Sequence, residues 1–226
     1  MELVIADDAE GAALEAAQLL ADVASRGGAV ALAGGSTPRR AYELAAGLAP
    51  DWSRVDVWLG DERCVPAGDD RANVRLVRES LAARALLPPA LHPVDTTLPP
   101  GRAAEAYDAD LEGVVLDLAL QGIGPDGHTA SLYPDEPSLD ETAARVVAAP
   151  ARLEPWVDRV TMTVPMLCSA RVVAFLVSGP EKADAARRAF VEAPSPSTPA
   201  SLVRSAAGRS VAILDRAAAS ELDRRR

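Results

Sequence analysis

The chain is poor in the residues that staple, span or load a protein with metal. Its two cysteines, Cys64 and Cys168, stand in no CxxC or zinc-like spacing. Nothing therefore points to a disulfide framework, and a reducing cytosol fits. No apolar run approaches the ~18–20 residues needed to cross a bilayer. The opening residues, Met1 to Asp8, lack a basic start and turn acidic too soon for a signal peptide. A cytoplasmic protein is expected. Positive charge is also short: 23 Lys and Arg against 33 Asp and Glu leave a formal net charge of −10. Phosphate backbones need clustered cations, so nucleic acid is excluded as the main partner. A small phosphorylated ligand is not, because a few local cations and helix N-termini outweigh the global field at a single site.

What is present is an ordinary globular composition, 49% apolar and 25% charged over 226 residues. That length allows one α/β domain with, at most, a small appended lobe. Short apolar runs alternate with longer amphipathic ones, which predicts an open, mostly parallel twisted sheet with helices on both faces, doubly wound and Rossmann-like. Strands are expected at 3–5, 29–33, 55–59, 91–94, 114–120, 145–148, 160–163, 172–177 and 211–214. Helices are expected at 9–25, 38–46, 72–85, 102–111, 182–191 and 217–222. The Pro- and Ser-rich stretch 193–199 reads as a loop. No internal repeat and no linker divides the chain, so residues 1–226 are read as one domain.

Four predicted strand exits carry chemistry. At Ala33-Gly34-Gly35-Ser36-Thr37-Pro38, Ser36 or Thr37 as cap and Pro38 at the first helical position specify a helix start. The glycines allow close approach to its free N–H groups, an anion site. At Gly60-Asp61-Glu62-Arg63-Cys64, carboxylates suit sugar hydroxyls and a guanidinium suits an anion; alone, the triplet reads more readily as a solvated surface turn. At Gly122-Ile123-Gly124-Pro125-Asp126-Gly127-His128 an aspartate and one of only two histidines sit in a glycine-rich turn. Histidine is the side chain suited to moving protons near neutral pH. Asp126 either orients that imidazole or contacts a substrate hydroxyl. His92, before Pro93 in an ordinary connection, is read as structural, and Cys64 as a small packing residue. At Ser178-Gly179-Pro180-Glu181-Lys182, Lys182 can reach an anion near a helix start, and lysine is scarce here beside arginine. Such loops converge at the carboxyl edge of a parallel sheet.

These residues resemble the 6-phosphogluconolactonase family, grouped with glucosamine-6-phosphate isomerases and deaminases. The resemblance runs over nearly the whole chain: the segments at 33–38 and 60–66, Asn73 heading its helix, 122–134, Arg159-Val160-Thr161-Met162-Thr163, 179–183 and 214–218. It implies a cytosolic hydrolase of the oxidative pentose phosphate pathway that opens 6-phospho-D-glucono-1,5-lactone. It also implies His128 as general base with Asp126 beside it, and no cofactor or metal. Substrate and phosphate are then held by Gly34, Gly35, Ser36, Thr37, Asp61, Arg63, Gly127, Arg159 and Lys182. Two alternatives stand beside it. A deaminase or isomerase of the same superfamily carries a Glu five positions after the histidine, where this chain has Tyr133. A non-catalytic sugar-phosphate sensor usually adds a DNA-binding segment, for which this chain has no basic region. Without a heptad or an apolar stripe the protein is expected to be a monomer, with functional association with glucose-6-phosphate dehydrogenase as a family-level expectation.

Overall fold

The structure, a computed structural model, describes residues 1–206 and 208–223. In chain order its main elements begin with β1 (Glu2–Ala6), α1 (Ala9–Arg26), β2 (Gly28–Leu32), α2 (Ser36–Leu48) and β3 (Val55–Leu59). Then come β4 (Asp61–Arg63), α3 (Asn73–Val77), β5 (Ala90–His92), α4 (Pro100–Asp110) and β6 (Leu116–Gln121). The last are β7 (Val146–Ala149), β8 (Arg159–Met162), α5 (Val164–Cys168), β9 (Val172–Val177), α6 (Ala183–Phe190) and β10 (Arg209–Asp215).

A seven-stranded sheet in the order β1-β10-β9-β6-β2-β3-β5 forms the frame, and every neighbouring pair in it is parallel. Its strands are apolar on both faces, as burial under two helical layers requires. Val30, Leu32, Val57, Leu59, Leu118, Leu120, Leu176 and Ile213 pack under α1, α2 and α3. The alternating Ala29, Ala31, Trp58, Ala119, Phe175, Val177 and Leu214 pack towards α4 and α6. Fully buried leucines such as Leu118 and Leu120 contribute roughly 1.5–3 kcal/mol each. Two-faced cover by helices is the doubly wound architecture expected above.

The order of strands fixes where a ligand sits. From β2 the chain steps outward to β3 and β5; it then returns to β6, on the other side of β2, and steps away through β9 and β10. The direction of winding reverses between β2 and β6, which pair directly. At such a switch point the loops leaving the two strands part in opposite directions and open a crevice.

The appended lobe is a second, antiparallel sheet of three strands in the order β4-β8-β7. Its β4 is an element that the sequence does not announce. Asp61-Glu62-Arg63 has no strand pattern, but it pairs with Thr161, Val160 and Arg159 of β8. Other boundaries also shift. The helix expected over 72–85 is α3 followed by one π-turn, Arg78–Ala82, in which the Ala83 amide bonds the Arg78 carbonyl at 2.8 Å. The helix expected at 217–222 is a run of turns; its start is tied by the Ala218 amide to Asp215 Oδ1 at 2.7 Å. The short α5 was not expected. No described helix is long and apolar enough to cross a membrane.

Candidate active site

A cleft of about 320 Å³ opens at the switch point, near the lower end of the ~300–1,000 Å³ typical of small-molecule sites. It is walled by residues 33–38 after β2, Asp61 and Arg63 on β4, residues 122–125 and 128–130 after β6, Arg159 on β8, and residues 176–178 with Glu181 and Lys182 after β9. Of the residues singled out in the sequence, Gly34, Gly35, Ser36, Thr37, Asp61, Arg63, His128, Arg159 and Lys182 all meet here. Asp126 and Gly127 do not line the cleft. Asp126 stands behind the histidine, and a Cβ on Gly127 would point at Thr198 and Arg188.

The histidine is fixed from three sides. Asp126 Oδ1 lies 2.6 Å from His128 Nδ1 and accepts the His128 backbone N–H at 3.1 Å. Burial pushes the Asp126 carboxyl up, but the hydrogen bond and charge of His128 outweigh it and hold the group below the ordinary carboxylate range. An ionised carboxylate only accepts, so Nδ1 donates and the lone pair of the neutral ring resides on Nε2. Asp126 thus orients the imidazole, the first of the two roles the sequence left open. The Tyr133 ring packs at 5.3 Å, tilted by 50°. On the opposite side the ring lies against Gly124, where an added Cβ would stand 2.1 Å from Nδ1 and 2.6 Å from Asp126 Oδ1. The loop itself is closed by Gly127 N–H to the Gly124 carbonyl and Gly124 N–H to the His128 carbonyl, both 2.9 Å. From α6, Arg188 donates to the Pro125 carbonyl at 3.1 Å and to the Asp126 carbonyl at 3.3 Å. Gly124→Ala is expected to fold yet displace the imidazole. Turnover should fall by about tenfold or more, as ångström-scale misplacement of a catalytic group costs up to ~10²-fold. Steady-state kinetics beside a thermal melt checks this, and unchanged kcat would show that the ring needs no such clearance.

The helix start on the facing wall differs from expectation. Gly35, at φ 99°, is itself the cap of α2, which begins at Ser36, and no side chain caps it. The positive φ, open to glycine, starts the helix two residues before Pro38. Neither hydroxyl is spent on capping, and Ser36 and Thr37 line the cleft at the helix start, where free first-turn N–H groups favour an anion.

Three cations complete the wall. Arg63 and Arg159 are direct cross-strand partners on β4 and β8, an arrangement that like charges disfavour. Arg159 is buried, its Nη2 donating at 3.3 Å to the Leu153 and Pro155 carbonyls; Arg63 Nη1 donates to the Arg71 carbonyl at 2.6 Å. The Nε of each is buried with no partner. Lys182, the chain's one lysine, has its ammonium pushed down by burial, against the pull of Glu181 and Asp126. Among the described residues, no carboxylate lies within 4.0 Å of Arg63, Arg159 or Lys182. Cations with no carboxylate partner, one buried and two half-buried, beside a helix N-terminus are an arrangement suited to a multiply charged anion.

The two carboxylates of the Asp61-Glu62-Arg63 triplet part company. Asp61, on the cleft wall, accepts from Ser131 Oγ at 2.7 Å and from Asn73 Nδ2 at 3.1 Å. Glu62 turns inward, where it accepts the N–H groups of Arg63, Asn73 and Val74 at 2.6–2.8 Å and so caps α3. It offers nothing to a ligand. Sequence reasoning also passed over Asp215, which accepts from Ser178 Oγ at 2.5 Å and the Gly179 N–H at 3.1 Å and anchors the loop that presents Lys182. The signal was an aspartate at the end of the last predicted strand, beside the exit of its neighbour. Among the described residues, no three of His, Cys, Asp and Glu cluster so as to hold a metal ion.

A parallel α/β sheet with an aspartate-bonded histidine and three cations at its switch point is the frame of a small-molecule site, and comparison with known proteins gives its family. Residues 5–212 match the family described as glucosamine-6-phosphate isomerases/6-phosphogluconolactonase. The chain belongs to this family. It is 37% identical to the 6-phosphogluconolactonase of Thermotoga maritima over 170 residues, covering 74% of this chain and 76% of that protein. It is 35% identical to that of Streptomyces coelicolor, covering 96% and 91%. The solved structure of 6-phosphogluconolactonase from Trypanosoma brucei superposes with a TM-score of 0.88 at 25% identity, over 98% of each chain.

Proposed function

We propose that this chain is a 6-phosphogluconolactonase, hydrolysing 6-phospho-D-glucono-1,5-lactone to 6-phosphogluconate in the oxidative pentose phosphate pathway, with His128 as general base. The observation that carries the reading is one cleft in which an Asp126-oriented imidazole faces the unpaired cations Arg63, Arg159 and Lys182. The 226 residues act together as one lactonase domain, since the walls are drawn from five separate stretches of the chain.

A lactone carbonyl is already electrophilic, so the site has three tasks: to place water, remove its proton and stabilise the oxyanion. The phosphate binds the α2 start and the cations, and this orients the ring without breaking a bond. Water attacks the carbonyl carbon as His128 Nε2 takes its proton, and Asp126 stabilises the resulting imidazolium. The tetrahedral oxyanion is met by N–H groups of the glycine loop or by a nearby guanidinium, a contribution of roughly 10²–10³-fold. As the bond from carbonyl carbon to ring oxygen breaks, His128 returns its proton to that oxygen, and the product leaves with a free hydroxyl and a carboxylic acid that gives its proton to solvent to become the carboxylate. This sequence calls on no metal. Tyr133 supports the lactonase over the deaminase branch: its ring rests on His128 and its hydroxyl is buried, so no carboxylate stands ready for aminosugar ring opening.

The direct test is lactone hydrolysis measured against the spontaneous background, because δ-lactones open unaided in water. Enzyme-dependent release of acid from the phosphorylated lactone is expected. Ammonia release from glucosamine 6-phosphate in its place would move the protein to the deaminase branch, and phosphosugar binding without turnover would make it a sensor.

A further inference from the structure

Asn73 does not line the cleft, yet its side chain touches two of the cleft's walls. At the first position of α3, it is 1% exposed. Its Nδ2 donates both to the Asp61 main-chain carbonyl at 2.8 Å and to the Asp61 carboxylate at 3.1 Å. Its Oδ1 is buried without a hydrogen-bond partner and lies against the glycine loop, 1.9 Å from where a Cβ on Gly34 would sit. An orphaned buried acceptor is destabilising, and here the orientation of the whole amide is set by its two bonds to Asp61.

We propose that Asn73 is a positioning residue: the contact of its side chain with both Asp61 and Gly34 sets the aim of the Asp61 carboxylate and the spacing between the β2 and β3 exits. The inference rests on the reading of the cleft as a sugar-phosphate site. Asp61 has two carboxylate oxygens and two fixed donors, Asn73 Nδ2 and Ser131 Oγ. A single rotamer follows, with the remaining lone pairs turned to the cleft as acceptors for sugar hydroxyls. Without the amide, one oxygen swings free and the floor under Gly34 is empty. The ionisable groups facing the pair are Glu62 and Arg63 on β4, Arg159 on β8 and the buried Tyr42 on α2, whose phenol is pushed up by burial and by Asp61.

Asn73→Asp is the informative variant because it keeps the shape and replaces the donor by a titratable one. Two carboxyls some 3 Å apart cannot both ionise, so the pair shares one proton and loses it well above the ordinary carboxylate range. While that proton is present it bridges the two carboxyls in place of the 3.1 Å amide bond, though the bond to the Asp61 carbonyl is lost; once it leaves, they repel. The ratio of kcat/KM for Asn73→Asp to that of wild type is expected to be highest at about pH 5.5 and to fall about tenfold or more by about pH 8.5. The loss should fall mainly on KM. Asn73→Ala, which lacks the donor at every pH, should show a raised KM with no such slope. A flat ratio for Asn73→Asp would reduce Asn73 to packing and overturn the inference. Thermal unfolding keeps the question open to test even if wild type fails to hydrolyse the lactone, an outcome that would sink the functional reading alone. Asn73→Asp should lose stability with rising pH, whereas Asn73→Asp/Asp61→Asn should not; parallel curves would overturn the coupling.

Discussion

His128→Ala is expected to lower kcat by about 10²–10⁴-fold, the usual contribution of a positioned base, while KM and the fold stay largely as they are. The expectation follows from where the ring's contacts go. Its Nδ1 is engaged behind the cleft by Asp126 at 2.6 Å, so Nε2 is left for the proposed water and the ring makes no hydrogen bond to the cationic wall. Loss of turnover therefore comes without loss of anchoring. Steady-state kinetics above the spontaneous rate, with circular dichroism as the control for folding, decides it, and wild-type turnover in this variant would remove the proposed base. Asp126→Asn should act in the same direction and more weakly, since the base remains but the tautomer that exposes Nε2 is no longer enforced.

The second large effect belongs to the twin guanidiniums. Arg63→Ala and Arg159→Ala should each lower kcat/KM for the phosphorylated lactone by about ten- to a hundredfold, since hydrogen bonds to charged groups are worth about 1.5–3 kcal/mol. The unphosphorylated lactone should be affected far less. That contrast separates anchoring from damage, because a misfolded cleft would lose both substrates alike. The facing pair on β4 and β8 makes the effects non-additive: removing one arginine relieves the repulsion felt by the other, so the double variant should lose less than the product of the singles. If the variants hydrolyse the two lactones in the wild-type ratio, the phosphate does not bind at this wall.

Much of this was legible in the chain because the signals are local. The alternation of Val30 and Leu32 with Ala29 and Ala31 announces a strand covered on both faces, and the structure distributes those residues to opposite layers. Glycines at 34, 35, 124 and 127 mark turns whose conformations or close contacts other residues resist, positive φ at Gly35 and Gly127 among them. What stayed hidden was written in tertiary pairing. Asp61-Glu62-Arg63 reads as a solvated turn until β8 lies against it, and only then do two of its side chains face the cleft while Glu62 turns to cap α3. The start of α2 was placed two residues late, since the freedom of Gly35 at φ 99° outweighs the preference of Pro38 for the first helical position. Asn73 gave no chemical signal of its own. An amide at a helix start is commonplace, and its importance appears only once Gly34 and Asp61 are seen on either side of it.

The cleft draws on residues from Ala33 to Lys182, delivered by parallel strands whose neighbours are far apart in the chain. No excised fragment contains a usable half of it. Pairings of such sequence separation form slowly, because long loops must close before any contact rewards them. The facing guanidiniums of β4 and β8 meet only when these two strands, distant in the chain, pair with each other, so the cationic wall is expected to form with long-range pairing and not with local helix formation. For a refolding chain, return of the proposed phosphosugar binding is expected to lag behind recovery of helical signal.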